Sequence, residues 1–170
     1  GFTPQEGVLM GTRSGSIDAT IVPYIAAKEN LNPAEVEKML NKKSGLLGIS
    51  GISSDCRDVE EASAKGDIRA SLALNCLCYG IKKIVGSYAA ALGGVDLIIF
   101  TGGIGENSAS TRYGVCQGLE YLGVEFDEEV NKGIHGKDAF ISKPSSKVKV
   151  CVIPTNEELV IARDTKDICG

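Results

Sequence analysis

The run Gly102-Gly103-Ile104-Gly105-Glu106-Asn107 follows the apolar stretch Val95 to Phe100 and precedes a helix-like segment. Glycines let a chain turn tightly and let main chain approach a ligand with no Cβ in the way. A helix start adds unsatisfied N–H groups and a partial positive charge. A strand ending in such a turn offers backbone N–H groups to an anion, which suits a nucleotide. The spacing is neither the G-x-G-x-x-G of dinucleotide folds nor the G-x-x-x-x-G-K-[ST] of P-loops, and a plain strand–turn–helix corner needs glycines as well. Metal chemistry has less to work with. The chain has one histidine, His135, without a partner at ligand spacing, and no C-x-x-C, so a structural zinc site is not expected.

The elements that would position this run read as follows. Ser16 or Asp18 can cap a helix to about Asn30, with Pro23 in its first turn or at a kink. Asn32-Pro33 restarts helix with Glu35 and Glu37 early, Lys42-Lys43 at the end and Gly45 beyond, a legible pair of limits. The Gly- and Ser-rich stretch from Gly45 to Asp58 reads as loop, and Val59–Lys65 as a short helix. Asp67 caps a long helix to Leu92, with Ile68, Leu72, Cys76, Leu77, Ile81, Ile84, Val85, Tyr88, Ala89 and Leu92 at three- and four-residue steps, ended by Gly93-Gly94. Beyond it come strand 95–101, the glycine turn, helix 110–122, an irregular stretch containing Asp127-Glu128-Glu129 as a solvated helix start, strand 148–153, Pro154, and helix 156–167. Alternation of strand and helix implies a parallel α/β layer. Two strands are few for so many helices, so further strands are expected from Phe2–Arg13 or from sequence outside this chain.

Composition narrows the function classes. With 170 residues, 43% hydrophobic and 24% charged, the chain can bury a core of its own. A net charge of −4 with dispersed Lys and Arg gives no stripe to follow a phosphate backbone, so nucleic acid is not an expected partner. No apolar run reaches the ~20 residues of a membrane span, and the chain reads as cytoplasmic. Its six cysteines fall at helix- and strand-like positions, as expected of reduced, packed thiols rather than a disulfide framework. Neither methionine nor a leader opens the sequence at Gly1-Phe2-Thr3-Pro4, which reads as a piece of a longer protein.

Five segments stand in order: Gly1-Phe2-Thr3-Pro4-Gln5-Glu6-Gly7, Met10-Gly11-Thr12-Arg13-Ser14-Gly15, Ser53-Ser54-Asp55-Cys56-Arg57-Asp58, Thr101-Gly102-Gly103-Ile104-Gly105-Glu106-Asn107 and Pro154-Thr155-Asn156-Glu157-Glu158. Together they resemble the C-terminal half of the acetate kinase family, across essentially the whole chain. The resemblance implies an α/β, ribonuclease-H-like fold of the actin, Hsp70 and sugar-kinase superfamily, with residues 1–170 as a nucleotide-binding and dimerisation domain and a helical insertion at about 16–66. It implies reversible phosphoryl transfer from ATP to acetate, giving acetyl phosphate and ADP with Mg²⁺, in a cytoplasmic homodimer. Carried over by position, Arg13 is the catalytic arginine. Asp55, Cys56 and Arg57 form part of the ATP pocket, Gly103, Ile104, Gly105, Glu106 and Asn107 the second nucleotide segment, and Glu157 the Mg²⁺ ligand. The family's remaining requirements, an Asn and a Lys near the phosphates, a substrate arginine, an active-site Asp and a histidine, belong to its N-terminal half.

Each assignment has a plainer alternative. Phosphoryl transfer is catalysed mostly by positioning and electrostatic stabilisation, for which a planar, permanently charged guanidinium is well suited, yet an arginine in a Thr-Arg-Ser-Gly turn is usually a solvated surface residue. Asp55 and Arg57 could form a loop ion pair, and Cys56 reads as a packing residue rather than a nucleophile. Glu157 at a helix start is favoured by the dipole whatever its role, although one acid with phosphate oxygens and waters is enough for Mg²⁺. A propionate or butyrate kinase half, or a stand-alone nucleotide-binding or assembly module, are the competing readings.

Overall fold

Asn32 opens a short helix as its N-cap: its side chain accepts from Glu35 N–H at 3.1 Å while the Glu35 carboxylate accepts from Asn32 N–H at 2.8 Å. This reciprocal box, with Pro33 at the first helical position, satisfies the donors that a helix start leaves open. The computed structural model describes residues 1–170 apart from the side chain of Glu157. The chain divides into two compact units, Gly1–Leu92 and Gly93–Gly170.

The first unit is helical among its described residues: α1 (Ile21–Glu29), α2 (Pro33–Lys42), α3 (Gly45–Ser50), α4 (Cys56–Ala64) and α5 (Ile68–Leu92). α1 starts a few residues later than expected, because Asp18 accepts from the N–H and hydroxyl of Thr20 and holds the preceding turn outside the helix. Asn30 ends it at φ 53°, a left-handed cap that asparagine tolerates. The expected loop 45–58 is a six-residue helix, a short bend and the start of α4. Glycines at 45, 48 and 51 mask α3 in the sequence. What stabilises it is tertiary: Leu46 and Leu47 N–H donate to Met10 O and Gly11 O, and the Arg69 guanidinium reaches from α5 to the carbonyls of Ile49 and Gly48 at its C-terminal end, where a cation is favoured. α4 begins at Cys56, three residues before the expected start, with Asp55 as its N-cap.

α5 runs from its Asp67 cap, which accepts from Ala70 N–H, to Gly93 at φ 75°, as the sequence indicates. It packs on α3 and α4. Ala70, Ala73, Leu77 and Ala89 turn inward, against a core that includes Val36, Leu46 and Val59, whereas Ile68, Leu72, Tyr79, Tyr88 and Leu92 are exposed. Several apolar positions at the expected three- and four-residue steps are therefore exposed rather than packed in the core. No helix among the described residues is long and apolar enough to cross a membrane.

The second unit carries the sheet: β1 (Leu97–Phe100), β2 (Ala139–Phe140) and β3 (Lys149–Val152), in the order β1-β3-β2. β1 and β3 are parallel, in register from Leu97 with Lys149 to Phe100 with Val152, and β2 is antiparallel to β3. Phe2–Arg13 supplies no strand; it forms turns and bends. The third strand is the two-residue β2, too short to read by alternation. Between β1 and β2 lie α6 (Gly102–Asn107), α7 (Ala109–Cys116), a 3-10 turn (Glu120–Leu122) and α8 (Glu128–Lys132), and α9 (Glu157–Cys169) follows β3. The expected helix 110–122 is thus interrupted after Cys116, at Gln117-Gly118, with Gly118 at φ 82°. Asp127 caps α8 as expected of its acidic run. The core holds Val115, Leu119, Val124, Ile141, Val148, Val150 and Val152, each below 3% exposed, a set of small apolar side chains worth ~1.5–3 kcal/mol apiece on burial for the larger ones. None of the six cysteines forms a disulfide, and burial pushes the thiols of Cys78 and Cys151 above the ordinary value.

Candidate functional site

The motif segments fold into two groups, one in each unit. In the first unit, the Met10–Gly15 turn is built almost wholly by main chain. Met10 N–H donates to Arg13 O at 3.0 Å, Ser44 N–H to Thr12 O at 2.9 Å, and Ser14 N–H to Leu40 O at 2.9 Å, while the Thr12 hydroxyl donates to Asn41 O at 2.8 Å. Two glycines allow the approach. Gly45 sits at φ +64°, and a Cβ there would lie 2.0 Å from Met10 O; one on Gly11 would lie 2.6 Å from Ser54 O. The Arg13 turn is therefore pressed against the residue that precedes Asp55.

Arg13 itself is half-buried, with its guanidinium 3.9 Å from the Met10 sulfur, and among the described residues it forms no ion pair. It borders a groove of ≈ 730 Å³ shared with Gln5, Glu37, Lys38 and Lys42. Asp55 and Arg57 do form the ion pair the sequence allowed: Arg57 Nε and Nη2 donate to the Asp55 carboxylate at 3.1 and 2.6 Å. Asp55 also accepts from Arg57 N–H at 2.9 Å. The guanidinium bond, then the amide bond, hold the Asp55 carboxyl down to about 2, and Asp55 in turn raises Arg57. Arg57 remains 86% exposed along its side chain, so the pair is open to a ligand. Cys56 is buried, as a packing residue would be.

In the second unit, the glycine segment is a short helix rather than the expected open turn, and its first N–H is not available to an anion. The Glu106 Oε1 atom accepts from Gly102 N–H at 2.8 Å, and Asn107 Nδ2 donates to Gly103 O at 3.0 Å. Those bonds close a helical turn in spite of the ~1 kcal/mol that each glycine costs in a helix. The same Glu106 oxygen accepts from the N–H and hydroxyl of Thr155 at 2.8 and 3.0 Å, joining the segments that follow β1 and β3. These bonds hold the Glu106 carboxyl below its usual range, the Thr155 amide first among the causes. On the outer side, a Cβ added to Gly102 or Gly103 would meet nothing within 4 Å. That open backbone lies beyond the C-terminal ends of two parallel strands, the edge at which α/β sheets take ligands, and it fits the close approach of a nucleotide.

Arg112 is the residue that sequence reasoning missed. It is fully buried. Its guanidinium donates to Gly105 O and Glu106 O, each at 3.0 Å, to Asn131 O at 3.1 Å and Ile134 O at 2.8 Å, and to Asn131 Oδ1 at 2.7 Å. The charge thus sits at the C-terminal ends of α6 and α8, where helix dipoles favour a cation. Its position in a polar-looking helix gave no signal of burial. His135 and Gly136 complete the support, with His135 Nδ1 3.2 Å from Asn107 O and Gly136 N–H donating to Glu106 O at 3.2 Å.

The side chain of Glu157 lies outside the described residues; its backbone opens α9 after Asn156, whose side chain caps the helix by accepting from Leu159 N–H at 3.0 Å. Among the described residues no group of three or more His, Cys, Asp or Glu side chains is placed to hold a metal. Mg²⁺ asks for less than that, since one or two carboxylates with phosphate oxygens and waters suffice.

The chain is similar to proteins whose chemistry is known. It is 58% identical to the acetate kinase of Methanosarcina acetivorans over 99% of its own length and 41% of that protein's. The crystal structure of Porphyromonas gingivalis acetate kinase superposes with a TM-score of 0.94 at 51% identity, covering 100% of this chain and 43% of that one. A propionate kinase from Francisella tularensis gives a TM-score of 0.88 at 42% identity, over 96% and 41% of the two chains. The chain therefore spans about two fifths of the relatives it matches. The model of the acetokinase family matches residues 1–163, and this chain belongs to that family.

Proposed function

We propose that the chain is the C-terminal, nucleotide-binding part of an acetate kinase, which moves the γ-phosphoryl group of ATP to acetate and makes acetyl phosphate and ADP. The observation that carries the reading, acetate as acceptor included, is the 58% identity to an acetate kinase across 99% of the chain. The fold is of the ribonuclease-H-like class, with residues 16–66, which hold α1 to α4, as a helical insertion.

The roles follow from the chemistry of each group. Arg13, without a carboxylate partner among the described residues, is the arginine that meets charge on the transferring phosphoryl group, where a bidentate fork is most effective in the transition state. Asp55, Cys56 and Arg57 are ATP-pocket residues of the first unit, and Gly103 to Asn107 is the nucleotide segment of the second, with open backbone at Gly103. Glu157, at the corner after β3, is the acid that holds Mg²⁺, which when bound would neutralise phosphate charge. The exposed apolar side chains of α5, Ile68, Leu72, Tyr79, Tyr88 and Leu92, are too many for a solvated helix and form the homodimer contact.

The test is direct. A full-length protein carrying this sequence, given ATP, Mg²⁺ and acetate, yields acetyl phosphate that hydroxylamine traps, with more product from acetate than from propionate. The 170-residue chain on its own yields none. Turnover by the isolated chain, or a full-length protein that phosphorylates neither acid, would overturn the proposal.

A further inference from the structure

The bonds of Glu106 join two segments that the backbone ladder leaves apart. The ladder between β1 and β3 extends to Ile153 N–H, which donates to Phe100 O at 3.0 Å. Beyond it, Glu106 Oε1 takes three donors: Gly102 N–H on its own segment, and the N–H and hydroxyl of Thr155, 49 positions further along. The C-terminal side of the same segment is held by Arg112 through the carbonyls of Gly105 and Glu106. Glu106 is thus fixed at its backbone and through one carboxylate oxygen, Oε1, which takes all three donors. Charge-assisted bonds of this kind are about twice as strong as neutral ones, which gives a reason for an acid inside a run of glycines.

We infer that Glu106 is a positioning residue, whose carboxylate oxygen Oε1 straps the glycine segment to Thr155 at the corner that begins α9. The inference rests on the nucleotide reading above and adds to it: the resemblance to the family places Glu106 in the nucleotide segment, and here Glu106 holds its neighbours Gly102 and Gly103, whose outer side is open, in place for the contact.

The experiment uses full-length protein carrying this sequence, with ATP binding by calorimetry, steady-state kinetics, and amide spectra of ¹⁵N-glycine- and ¹⁵N-threonine-labelled samples. Glu106→Ala is expected to weaken ATP about 10-fold or more, as the loss of groups that orient a ligand-bearing residue commonly does, and to raise KM for ATP more than it lowers kcat. Thr155→Val, which keeps the amide donor and loses the hydroxyl, should weaken ATP a few-fold, and Thr155→Ser should restore it. Adding Thr155→Val to Glu106→Ala should cost nothing more, since the two act through one contact. Glu106→Gln, the conservative variant, should shift the amide resonances of both Gly102 and Thr155. Additive losses in the double variant, or unchanged ATP affinity in Glu106→Ala, overturn the positioning role. Unmoved Gly102 and Thr155 amides overturn the strap itself. Wild-type protein that binds no ATP overturns the nucleotide reading and the functional part of this inference with it, and the amide result then still reports on the strap.

Discussion

Arg13 and Arg112 are the same residue type in opposite circumstances. Arg112 is fully buried and its guanidinium is engaged with the carbonyls of Gly105, Glu106, Asn131 and Ile134 and with the Asn131 side chain. Arg13 is half-buried at a groove, near the Met10 sulfur, without an ion pair among the described residues. The turn that carries Arg13 is held by main-chain bonds and by the close approach of Gly11 and Gly45, so the side chain is spared from structural work. In the second unit side chains build the segment, and the arginine there is consumed in doing so. A charge fully satisfied by the fold stabilises it; a charge the fold leaves unsatisfied is available to a substrate.

Substituting the two arginines should separate the effects. Arg112→Ala takes the guanidinium donor from the Gly105 and Ile134 carbonyls and from Asn131 Oδ1, each worth about 1–3 kcal/mol, so a loss of about 3–5 kcal/mol in chemical unfolding is expected, with Arg112→Lys recovering only part. Arg13→Ala should leave the unfolding curve nearly unchanged, yet lower kcat on the order of 10³-fold in the full-length enzyme, by analogy with other arginines that stabilise phosphoryl transfer. KM for ATP should rise much less, and Arg13→Lys should rescue poorly. If kcat of either Arg13 variant stays within a few fold of wild type, the residue is part of the turn and the contrast fails.

The main-chain construction of the first group has its own weak point. Gly45→Ala puts a Cβ 2.0 Å from Met10 O at a left-handed φ of +64°, and should cost more than about 2 kcal/mol through strain and displacement. Calorimetric melting that leaves Gly45→Ala as stable as wild type would show that the Arg13 turn does not depend on that contact.

A smaller effect concerns acid. Asp55 has a carboxyl held down to about 2 in the folded chain, against ~4 in an unfolded one. A depressed carboxylate contributes stability above the unfolded value and loses it as pH falls through the folded one. Amide exchange in the first turn of α4 should therefore quicken between about pH 4 and 2. Asp55→Asn, itself a good N-cap, should remove that pH dependence while leaving the helix in place at neutral pH. Exchange with the same acid limb in both forms would assign the loss to another group.

What the sequence made legible is local. The Asn32-Pro33 start of α2, the Asp67 cap of α5 and its Gly93 end each depend on residues within a turn of each other, and each appears where expected. α3 was hidden because its support comes from Met10, Gly11 and Arg69. β2 was hidden because two residues carry no period, and its partner β3 lies further along the chain. The glycine run was recognisable as a segment that matters, but its helical state depends on Glu106, and the link to Thr155 spans 49 positions. Residue types mark the motif segments; their mutual placement is written in contacts that local pattern does not contain.

The central claim, that the open glycine backbone receives a nucleotide, is tested most directly at Gly103. Its φ is not positive and an added Cβ meets nothing within 4 Å, so Gly103→Val should leave stability within about 0.5 kcal/mol, as surface substitutions generally do. A bulky side chain there stands where the nucleotide would lie. Calorimetric titration of full-length Gly103→Val with ATP is predicted to show affinity reduced at least ~10-fold, one such factor being ~1.4 kcal/mol, at an unchanged melting temperature. ATP bound as tightly as by wild type would contradict the account.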